Sequence, residues 1–506
     1  MPLLAAIDQG TTGTRCYLFD LAGRIVASAY REHAQFFPQP GWVEHDAVEI
    51  RDNVDRVAAE AIAAAPNERV LGLGVTNQRE TVVFWDAQSG LPLGPAIVWQ
   101  DTRTDEDCRE WIAAGLEPAV QERTGLPIRT YFSAPKIRWL LSRTPDASAL
   151  VRAGRLRIGT MDSWVIWNLT GGIHGGAHVT DPTNASRTLL CALETLAWDP
   201  ELVEMFGAPP EALARIEPSI STEPYGWTRA DGPFRGRIPV CADLGDQQAA
   251  LFGQACFRAG EAKNTYGSGS FLLQHTGAAP VASRHGLLAT AAAARRGERA
   301  YALEGSVAVS GSAVQWLRDG LGVIDTAAQT ETLARSVSDS GGVYFVPAFS
   351  GLFAPHWDMS ARGTIVGLTR FATRAHLVRA TLESMAYQSR EVLDAMAADS
   401  GLPAACLKVD GGATENDFLM QLQADVLGIP VIRPAVRETT ALGAAHAAGL
   451  ACGAYGSFEE ISRLWRRDRV FEPAWTASRR EEGFRNWKRA VERSRGWVEE
   501  RESPRI

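Results

Sequence analysis

Short apolar runs alternate with polar, glycine-rich turns at the start of the chain. Residues 3–27 contain three such runs, separated by the polar stretch 8–13 and by a second turn. Runs of this length between turn residues are typical of β-strands. A helical pattern then covers Asp46–Ala65, and a further apolar run follows at 70–75. Strands that alternate with helices predict an α/β fold with a mainly parallel or mixed sheet.

The same order of strand, turn and strand returns about 250 residues later. The run 262–266 leads into the turn 267–270, and the apolar run 271–273 follows. This spacing is the length of one large domain. We expect two related domains that face each other across a cleft, divided into residues 1–250 and 251–506. A chance similarity of two glycine-rich turns is the alternative.

Helical patterns dominate the last quarter of the chain. Residues 373–400 predict a long amphipathic helix that packs against the core, and a strand at 407–409 precedes a helix that runs to Leu427. The small residues at 439–450 predict a tightly packed helix. The charged segment from Arg479 onward predicts a surface helix with a frayed tail, so the second domain ends in a helical segment.

Composition and charge indicate a soluble, cytoplasmic enzyme. Hydrophobic residues make up 45% of the 506 residues, and the net charge is −8. A nucleic-acid binder or a protein that binds anionic membranes needs a basic surface, so we expect neither partner. No apolar run reaches the roughly 18 residues of a membrane span, and Asp8 stands too early for a signal-peptide core. Seven cysteines without a CxxC pair indicate reduced thiols.

The distribution of lysine excludes one common way of binding ATP. The chain has only four lysines, at positions 136, 263, 408 and 488, so arginine supplies 47 of the 51 basic residues. A P-loop needs a lysine directly after its glycine-rich turn, and none of the four stands there. Any ATP site in this chain must hold the phosphates in another way.

The turn at residues 8–13 has the parts of a phosphate clamp without a lysine. Backbone N–H groups and the hydroxyls of Thr11 and Thr12 can donate to phosphate, and glycine allows a close approach. Asp8 at the strand end suits a magnesium ion, and Arg15 adds positive charge. A plain hairpin turn is the alternative interpretation.

A second phosphate- or nucleoside-binding turn is expected at Asp410–Gly412, between a strand and a helix. Alone this turn is a weak signal. Together with the turns at 8–13 and 267–270 it gives three glycine-rich turns at strand ends in a chain without a P-loop lysine. That combination matches the nucleotide cleft of the actin-like ATPase fold.

Two polar segments could bind and activate an acceptor. In the stretch 76–81 the adjacent Arg79 and Glu80 can grip a polyol, since Arg donates to one hydroxyl and Glu accepts from another. A solvated loop is the alternative. Asp246 stands before a helix of small residues and is the best candidate for a general base. A helix N-cap is the alternative role of Asp246.

Other chemistries have little support. His174 and His178 are four residues apart, but the two glycines between them indicate a loop and argue against a helical metal-binding pair. A serine hydrolase would need a Gly-x-Ser-x-Gly elbow in a strand–turn–helix context, which the sequence does not supply.

Several ordered motifs resemble the FGGY family of carbohydrate kinases, and in particular its members that phosphorylate glycerol. The resemblance runs from about residue 3 to residue 500. Its motifs are residues 8–12, 41–46, 76–81, 98–101, 181–188, 245–249, 316–319 and 410–412. So many motifs in order make a chance similarity very improbable.

The resemblance implies a fold, an activity and partners. The fold would be α/β, with two actin-like (ribonuclease H-like) ATPase domains that close over a nucleotide and substrate cleft. The activity would be ATP- and Mg²⁺-dependent phosphorylation of glycerol to sn-glycerol 3-phosphate, and closure would keep water away from the γ-phosphate. The resemblance also implies a homodimer or homotetramer.

Site residues are carried over position by position. The resemblance implies Asp246 as the catalytic general base, and Asp8 with Asp246 near the magnesium ion. The residues expected to contact glycerol are Arg79, Glu80, Trp99, Tyr131, Asp246, Gln247 and Phe271. Those expected to contact the nucleotide are Thr11, Thr12, Gly13, Arg15, Ser268, Gly311, Gln315, Gly412 and Asn416. Two positions depart from the family pattern, because Gly13 stands where serine is common and Ser268 where threonine is usual.

Two other functions remain open at this point. One is a kinase of the same family for another small polyol or ketose, such as erythritol or xylulose. Trp99, Tyr131 and Phe271 argue for a narrow pocket and against a larger substrate. The other is a non-catalytic, actin-like ATP-binding protein, which would not need the polyol grip of Arg79 and Glu80.

Overall fold

The computed structural model describes residues 1–498 of the chain. In these residues the strands are β1 Pro2–Gln9, β2 Gly13–Asp20, β3 Ile25–Glu32, β4 Gln35–Phe36, β5 Glu44–His45, β6 Arg69–Asn77, β7 Val82–Asp86, β8 Ala96–Ile97, β9 Leu156–Thr160, β10 Val179–Thr180, β11 Cys191–Ala192, β12 Ala197–Trp198, β13 Arg215–Ile216, β14 Gly226–Trp227, β15 Pro239–Gly245, β16 Ala262–Tyr266, β17 Ser270–Gly277, β18 Leu288–Ala291, β19 Tyr301–Val307, β20 Tyr344–Val346, β21 Thr364–Val366, β22 Leu407–Asp410, β23 Val431–Pro434 and β24 Arg467–Phe471. The helices are α1 Ala47–Ala64, α2 Asp105–Ala113, α3 Glu117–Thr124, α4 Ser133–Arg143, α5 Ala147–Arg152, α6 Met161–Leu169, α7 Pro182–Ala185, α8 Pro200–Met205, α9 Asp246–Gly253, α10 Gly311–Gln315, α11 Gln329–Arg335, α12 Arg374–Ser400, α13 Asp417–Leu427, α14 Thr439–Ala451, α15 Phe458–Leu464 and α16 Ala477–Ser494.

The first half of the chain is built on a six-stranded sheet in the order β14-β15-β6-β1-β2-β3. β1 and β2 form an antiparallel hairpin, whereas β1, β6 and β15 run parallel. The apolar residues of β1 are buried on both faces, as expected for a strand at the centre of a sheet that is covered on both sides. A further sheet, in the order β4-β5-β8-β7-β9, packs beside it.

The second half repeats this topology. Its seven-stranded sheet has the order β18-β19-β17-β16-β22-β23-β24. β16 and β17 form the antiparallel hairpin, and β16, β22 and β23 run parallel. The hairpins β1–β2 and β16–β17 therefore occupy equivalent places, which confirms the predicted repeat and the mixed α/β class.

The long helices form where the sequence predicts them. α1 is capped by Asp46, whose carboxylate accepts from the N–H groups of Val48 and Glu49. α12 begins after Thr373 with a capping box to His376. This helix is buried on nearly all sides rather than along one stripe, because it packs against strands of the second sheet and against α11, α13 and α16.

Helix α14 comes late in the chain but packs on the sheet of the first half, against β1 and β6 and against α9. Its small residues allow this approach. A Cβ at Gly443 would lie 1.9 Å from the Ala249 carbonyl oxygen, and a Cβ at Gly253 would lie 1.9 Å from that of Thr439. The predicted tight packing of residues 439–450 is thus confirmed, since only glycine fits at both points of contact.

The C-terminal helix α16 lies at the surface, as predicted, but it buries one face. Phe484, Trp487 and Val491 are buried, and the Trp487 ring stacks on Tyr387 at 5.6 Å between ring centroids. Trp497 is exposed. The predicted frayed tail falls largely on residues 499–506, which lie outside the described residues.

Two predictions from composition can be checked directly. Among the helices within residues 1–498, none combines the length and the apolar character needed to cross a membrane. All seven cysteines lie in this range and none forms a disulfide bond.

Candidate active site

The topology of the first sheet places three predicted site segments at one edge. Asp8 lies opposite Thr76 near the end of β1, and Gly245 lies opposite Asn77 at the end of β15. Because β1, β6 and β15 are parallel, their carboxyl ends meet at the same edge. Arg79 follows β6 directly, and Asp246 begins α9 directly after β15. These side chains are therefore brought together from three distant parts of the sequence.

Arg79 is the centre of this edge. Its Nε lies 3.2 Å from Asp246 Oδ1 and 3.9 Å from Glu80 Oε1. Its Nη1 donates to Gln248 Oε1 at 3.2 Å, and its two Nη atoms form a bidentate pair with Glu304. Arg79 and Glu304 are both buried. The guanidinium thus joins the proposed base in the first half to a carboxylate on β19 in the second half.

Glu80 is held in an unusual backbone conformation, with a φ of 63°. Its Oε1 accepts from Arg187 Nε at 2.7 Å, and its carbonyl accepts from Ser133 Oγ at 3.1 Å. A positive φ in a residue other than glycine costs about 1–3 kcal/mol and persists where the surroundings fix it, often at functional sites. The Glu80 carboxylate lies beside Arg79 at the strand-end edge.

Three aromatic rings form a wall beside these charges. Trp99 contacts Tyr131 and Phe271 edge-to-face, with centroid distances of 5.5 Å and 6.4 Å. The Trp99 indole N–H donates to Thr11 Oγ1 at 2.9 Å. The structure therefore brings together the three predicted aromatic residues and joins them to the phosphate turn.

Asp246 is the first residue of α9, and Gly245 is the N-cap, so the alternative role of Asp246 as an N-cap is wrong. The Asp246 carboxylate accepts from the backbone N–H of Gln247 at 2.7 Å and is 29% exposed, which leaves it open to a ligand. Burial raises the pKa of Asp246 above its ordinary value, while the charges of Arg79 and Lys263 oppose this shift. A raised pKa makes the carboxylate a better base.

The turn between β1 and β2 offers free donors. The backbone N–H groups of Thr11 and Thr12 make no hydrogen bond with any described residue, and the Thr12 side chain is exposed. Arg15 Nη1 lies 3.7 Å from Asp8 Oδ2 and beside the turn at Gly10. This arrangement has the unpaired N–H groups and the positive charge that an anion site requires.

Asp8 has the properties of a ligand for a hard cation. Burial raises the pKa of Asp8 to about 6, Arg15 opposes the shift, and the charges of Asp246 and Glu438 add to it. The carboxylate accepts no hydrogen bond from the residues that the structure describes. A magnesium ion, which takes one or two carboxylates together with substrate phosphates, fits this pair of acidic residues.

A cavity of about 540 Å³ lies in the second half, bordered by α10, α12 and α13. It is lined by all five residues predicted there for the nucleotide, namely Ser268, Gly311, Gln315, Gly412 and Asn416. Leu382, Met385 and Leu419 supply apolar walls. A pocket of this size with an apolar lining and a few polar groups suits a nucleoside.

Gly13 departs from the family pattern for a local reason. A Cβ at this position would lie 2.5 Å from the Tyr30 ring and 2.6 Å from the carbonyl oxygen of Arg31. Tyr30 fills the space instead, and its ring centroid lies 4.7 Å from the Arg15 Cζ in a cation–π contact. The missing hydroxyl at position 13 thus makes room for a ring that supports Arg15.

Sequence reasoning missed three buried charged residues of the site, namely Arg187, Lys263 and Glu304. Glu304 bonds both Arg79 and Arg187, and Lys263 bonds Gln247. Burial alone would raise the pKa of Glu304, but the guanidiniums of Arg187 and Arg79 outweigh it and lower the pKa to about 2. The available signal was a single charged residue in each of the strands β16 and β19, and one arginine in the motif 181–188.

His174 and His178, which the sequence argued against as a helical metal-binding pair, do not share a helix in the structure. His174 ends a single 3-10 turn at Gly172–His174, and His178 Nε2 lies 3.0 Å from the Ile158 carbonyl oxygen. Within residues 1–498, no group of three or more His, Cys, Asp or Glu side chains is arranged to hold a metal ion. The only acidic residues predicted for a metal remain Asp8 and Asp246.

A pair of buried carboxyls lies behind the site. Neither oxygen of Asp243 has a hydrogen-bond partner among the described residues, and Asp162 Oδ2 accepts from Thr180 Oγ1 at 2.6 Å. Burial raises the pKa of Asp243 well above its ordinary value, and the charges of Asp162 and Asp181 add to the shift. Asp243 is therefore protonated in the folded state over a pH range in which the unfolded chain has lost that proton.

Asp243→Asn is expected to change the pH dependence of stability. Asp243 holds a proton in the folded parent protein that it has lost in the unfolded chain between about pH 4 and the raised pKa, so the contribution of Asp243 to stability falls with rising pH by up to about 1.4 kcal/mol per unit. Asparagine has no proton to lose, so the melting temperature of the variant should fall less between pH 5 and pH 8. Parallel calorimetric profiles for parent and variant would contradict this. Asp319→Asn, at an exposed ion pair, is the control and should follow the parent.

Known proteins resemble this chain along nearly its whole length. Models of the FGGY family of carbohydrate kinases match residues 3–253 with the N-terminal domain and 262–452 with the C-terminal domain. A glycerol kinase of Saccharopolyspora erythraea is 55% identical over 499 residues, which cover 98% of this chain and 99% of that protein.

Two solved structures extend the comparison. The glycerol kinase of Plasmodium falciparum, solved with ADP, has a TM-score of 0.91 and 38% identity, and the alignment covers 98% of each chain. A xylulose kinase from Rhodospirillum rubrum has a TM-score of 0.84 and 26% identity over 96% of this chain and 98% of that one. This chain thus belongs to the FGGY family of carbohydrate kinases.

Proposed function

We propose that this kinase transfers the γ-phosphoryl group of ATP to a terminal hydroxyl of glycerol and releases sn-glycerol 3-phosphate and ADP. The observation that carries the proposal is the contact between Arg79 and the partly exposed carboxylate of Asp246, beside the wall of Trp99, Tyr131 and Phe271. A short polyol fits a site with charged groups on one side and closely spaced rings on the other. High identity to glycerol kinases over nearly the whole chain supports the same substrate.

Asp246 acts as the general base in this proposal. Its carboxylate accepts the proton of the attacking hydroxyl, and Arg79 Nε holds the carboxylate in place at 3.2 Å. Phosphoryl transfer passes through a loose transition state, so the orientation of the hydroxyl matters more than the strength of the base. Glu80 and Gln247 hold the other oxygens of glycerol, and the aromatic wall contacts its carbon chain.

Thr11, Thr12 and Arg15 bind the phosphates through free N–H groups and positive charge. Asp8 and Asp246 would hold Mg²⁺, which would neutralise charge on the phosphates. Arg15 stacks on Tyr30, so its guanidinium is held beside the turn while its donors remain available. Gly13 contributes by its lack of a side chain.

The cavity lined by Ser268, Gly311, Gln315, Gly412 and Asn416 binds the nucleoside end of ATP in this proposal. Two adjacent glycines allow a sharp test. A Cβ at Gly412 would meet nothing within 4 Å, so Gly412→Ala is expected to keep the melting temperature but to raise the KM for ATP several-fold by entering the cavity. A KM for ATP equal to that of the parent would remove Gly412 from the nucleotide site.

Gly411→Ala is the matched control for that variant. Gly411 has a φ of 89°, and a Cβ there would lie 2.2 Å from the Tyr266 carbonyl oxygen. We therefore expect Gly411→Ala to lower the melting temperature, because the backbone is strained whether or not nucleotide is present.

The two alternative functions have less support than the phosphorylation of glycerol. A kinase for xylulose or another ketose is disfavoured because the chain is 38% identical to the Plasmodium glycerol kinase and 26% identical to the Rhodospirillum xylulose kinase. A non-catalytic ATP-binding protein would not need a buried Arg79–Glu304 pair whose arginine also contacts the partly exposed carboxylate of Asp246.

The experiment that tests the proposal identifies the product. ATP, Mg²⁺ and glycerol are incubated with the protein, and the product is oxidised by a dehydrogenase specific for sn-glycerol 3-phosphate. We expect one equivalent of that enantiomer for each ADP formed. Formation of ADP without the enantiomer would contradict the proposed reaction.

The domain division, the oligomeric state and the cellular location of the protein remain predictions. The division into residues 1–250 and 251–506 is supported by the repeated sheet topology, with the qualification that α14 packs on the first sheet. The homodimer or homotetramer remains a prediction from the family resemblance. The cytoplasmic location remains a prediction from the free cysteines.

A further inference from the structure

Lys263 is a buried lysine whose bonds connect the two halves of the chain at the proposed glycerol site. Its Nζ donates to Gln247 Oε1 at 2.6 Å, to Thr265 Oγ1 at 2.8 Å and to the Phe271 carbonyl oxygen at 3.2 Å. The side chain is fully buried. All three ammonium hydrogens are thus used, and two of the three bonds go to residues that the proposed function assigns to glycerol.

These bonds fix the chemistry of the Gln247 amide. An ammonium group can only donate, so the atom of Gln247 that faces Lys263 must be the amide oxygen. The amide nitrogen then points away from Lys263. Gln247 Nε2 donates to none of the described residues, so both of its hydrogens are available to a ligand.

The position of Lys263 in the sheet explains how it reaches Gln247. Lys263 on β16 and Glu304 on β19 lie on either side of Leu273 of β17, in register. Residues directly opposite each other in neighbouring strands point to the same face. One face of the second sheet therefore presents a cation to Gln247 and an anion to Arg79.

We propose that Lys263 is a positioning residue that holds the Gln247 amide as a hydrogen-bond donor to an oxygen of the acceptor substrate. This inference rests on the proposed function, because it places Gln247 beside glycerol. With its oxygen bound to Lys263, Gln247 presents N–H groups to an acceptor oxygen, which is a hydroxyl in glycerol and a hydroxyl or carbonyl in a ketose. Asp246 presents the complementary acceptor to the reacting hydroxyl.

The test is a double-mutant cycle on the KM for glycerol. Lys263→Met keeps the length of the side chain and frees the Gln247 amide to rotate, so the KM for glycerol should rise about tenfold, the effect of one hydrogen bond. Gln247→Ala should raise it at least as much. If Lys263 acts through Gln247, the double variant should be no worse than Gln247→Ala alone, and the KM for ATP should stay close to that of the parent in all three.

Lys408→Met is the matched control. Lys408 lies directly opposite Lys263 on β22, but its Nζ donates to the carbonyl oxygens of Gln254 and Ala255, away from the site. Its KM for glycerol should equal that of the parent. Two results would overturn the inference. One is a double variant in which the increases in the KM for glycerol from Lys263→Met and from Gln247→Ala multiply. The other is a KM for glycerol in Lys263→Met that lies within twofold of the parent value.

A second variant covers the case in which Lys263→Met does not fold. Gln247→Glu keeps an acceptor for Lys263 but has no N–H to offer, so the KM for glycerol should again rise at least about tenfold at an unchanged melting temperature. An unchanged KM would overturn the donor role. Failure of the proposed function is distinct, since the parent protein itself would then show no glycerol-dependent formation of ADP.

Discussion

Asp246→Asn is expected to lower kcat by about 10²–10⁴-fold while the protein keeps its fold. Asparagine has the shape of aspartate, and its oxygen can still accept from the backbone N–H of Gln247 and lie beside the Arg79 guanidinium. What it loses is the ability to take the proton of the attacking hydroxyl. The KM for ATP and the melting temperature should therefore stay close to those of the parent.

Steady-state kinetics with saturating ATP and glycerol measure this effect. Asp243→Asn, three residues earlier in the same segment, is the matched control, because Asp243 is buried behind the site and should leave kcat unchanged. A kcat above one tenth of the parent value in Asp246→Asn would show that Asp246 is not the base. A collapse of the melting temperature would show that the carboxylate is mainly structural.

Arg79→Met is expected to lower stability and glycerol binding together. Arg79 is bonded to Glu304 through both Nη atoms, and Glu304 is fully buried. Removal of one partner from a buried ion pair costs about 3–5 kcal/mol, because the remaining charge is left in an apolar interior. Arg187 still contacts Glu304 at 3.1 Å and keeps the loss from being larger. The KM for glycerol should rise as well, since we expect Arg79 to contact a glycerol hydroxyl in the ground state.

A second substitution separates the two effects. In the double variant Arg79→Met with Glu304→Gln, a neutral amide replaces the buried carboxylate that the single variant leaves without Arg79, so the melting temperature should recover in part while the KM for glycerol stays high. Calorimetry and glycerol titrations on the three variants measure both quantities. Recovery of the KM together with the melting temperature would mean that Arg79 acts on glycerol only through the fold.

Local sequence signals predicted most of the architecture. Short apolar runs and glycine-rich turns correctly predicted β1 and the hairpins β1–β2 and β16–β17, because strand length and turn residues are local properties. The helices α12 and α14 followed from their pattern and from their small residues. The contact of α14 with the first sheet was not predictable, since it joins segments more than 350 residues apart in the sequence.

The sequence also indicated part of the candidate site. Arg79 and the phosphate turn lie after parallel strands, as the sequence predicted, and α/β sheets gather ligand-binding residues at such strand ends. Asp246 begins a helix, as predicted, but the strand β15 before it was not predicted. Glu304 and Lys263 were missed, because a single charge in a strand does not say which distant side chain will pair with it. Only the packing of the two sheets identifies Arg79 and Gln247 as the partners.

The conformation of Glu80 shows the same limit. Its neighbour Arg79 and its own carboxylate indicated a polyol grip, but the positive φ arises from contacts with Ser133 and Arg187, which are 53 and 107 residues away. Such strain is a property of the assembled site. It could be recognised only after the fold had placed those two residues.

The most direct test of the account compares acceptors in one assay. Release of ADP from Mg-ATP is measured with glycerol, dihydroxyacetone, erythritol and xylulose as separate acceptors, and kcat/KM is determined for each. The narrow pocket beside the aromatic wall and the Arg79–Asp246 pair predict that the kcat/KM for glycerol exceeds that for each of the other acceptors by at least about tenfold. A higher kcat/KM for another acceptor, or no release of ADP with any of the four, would contradict the account.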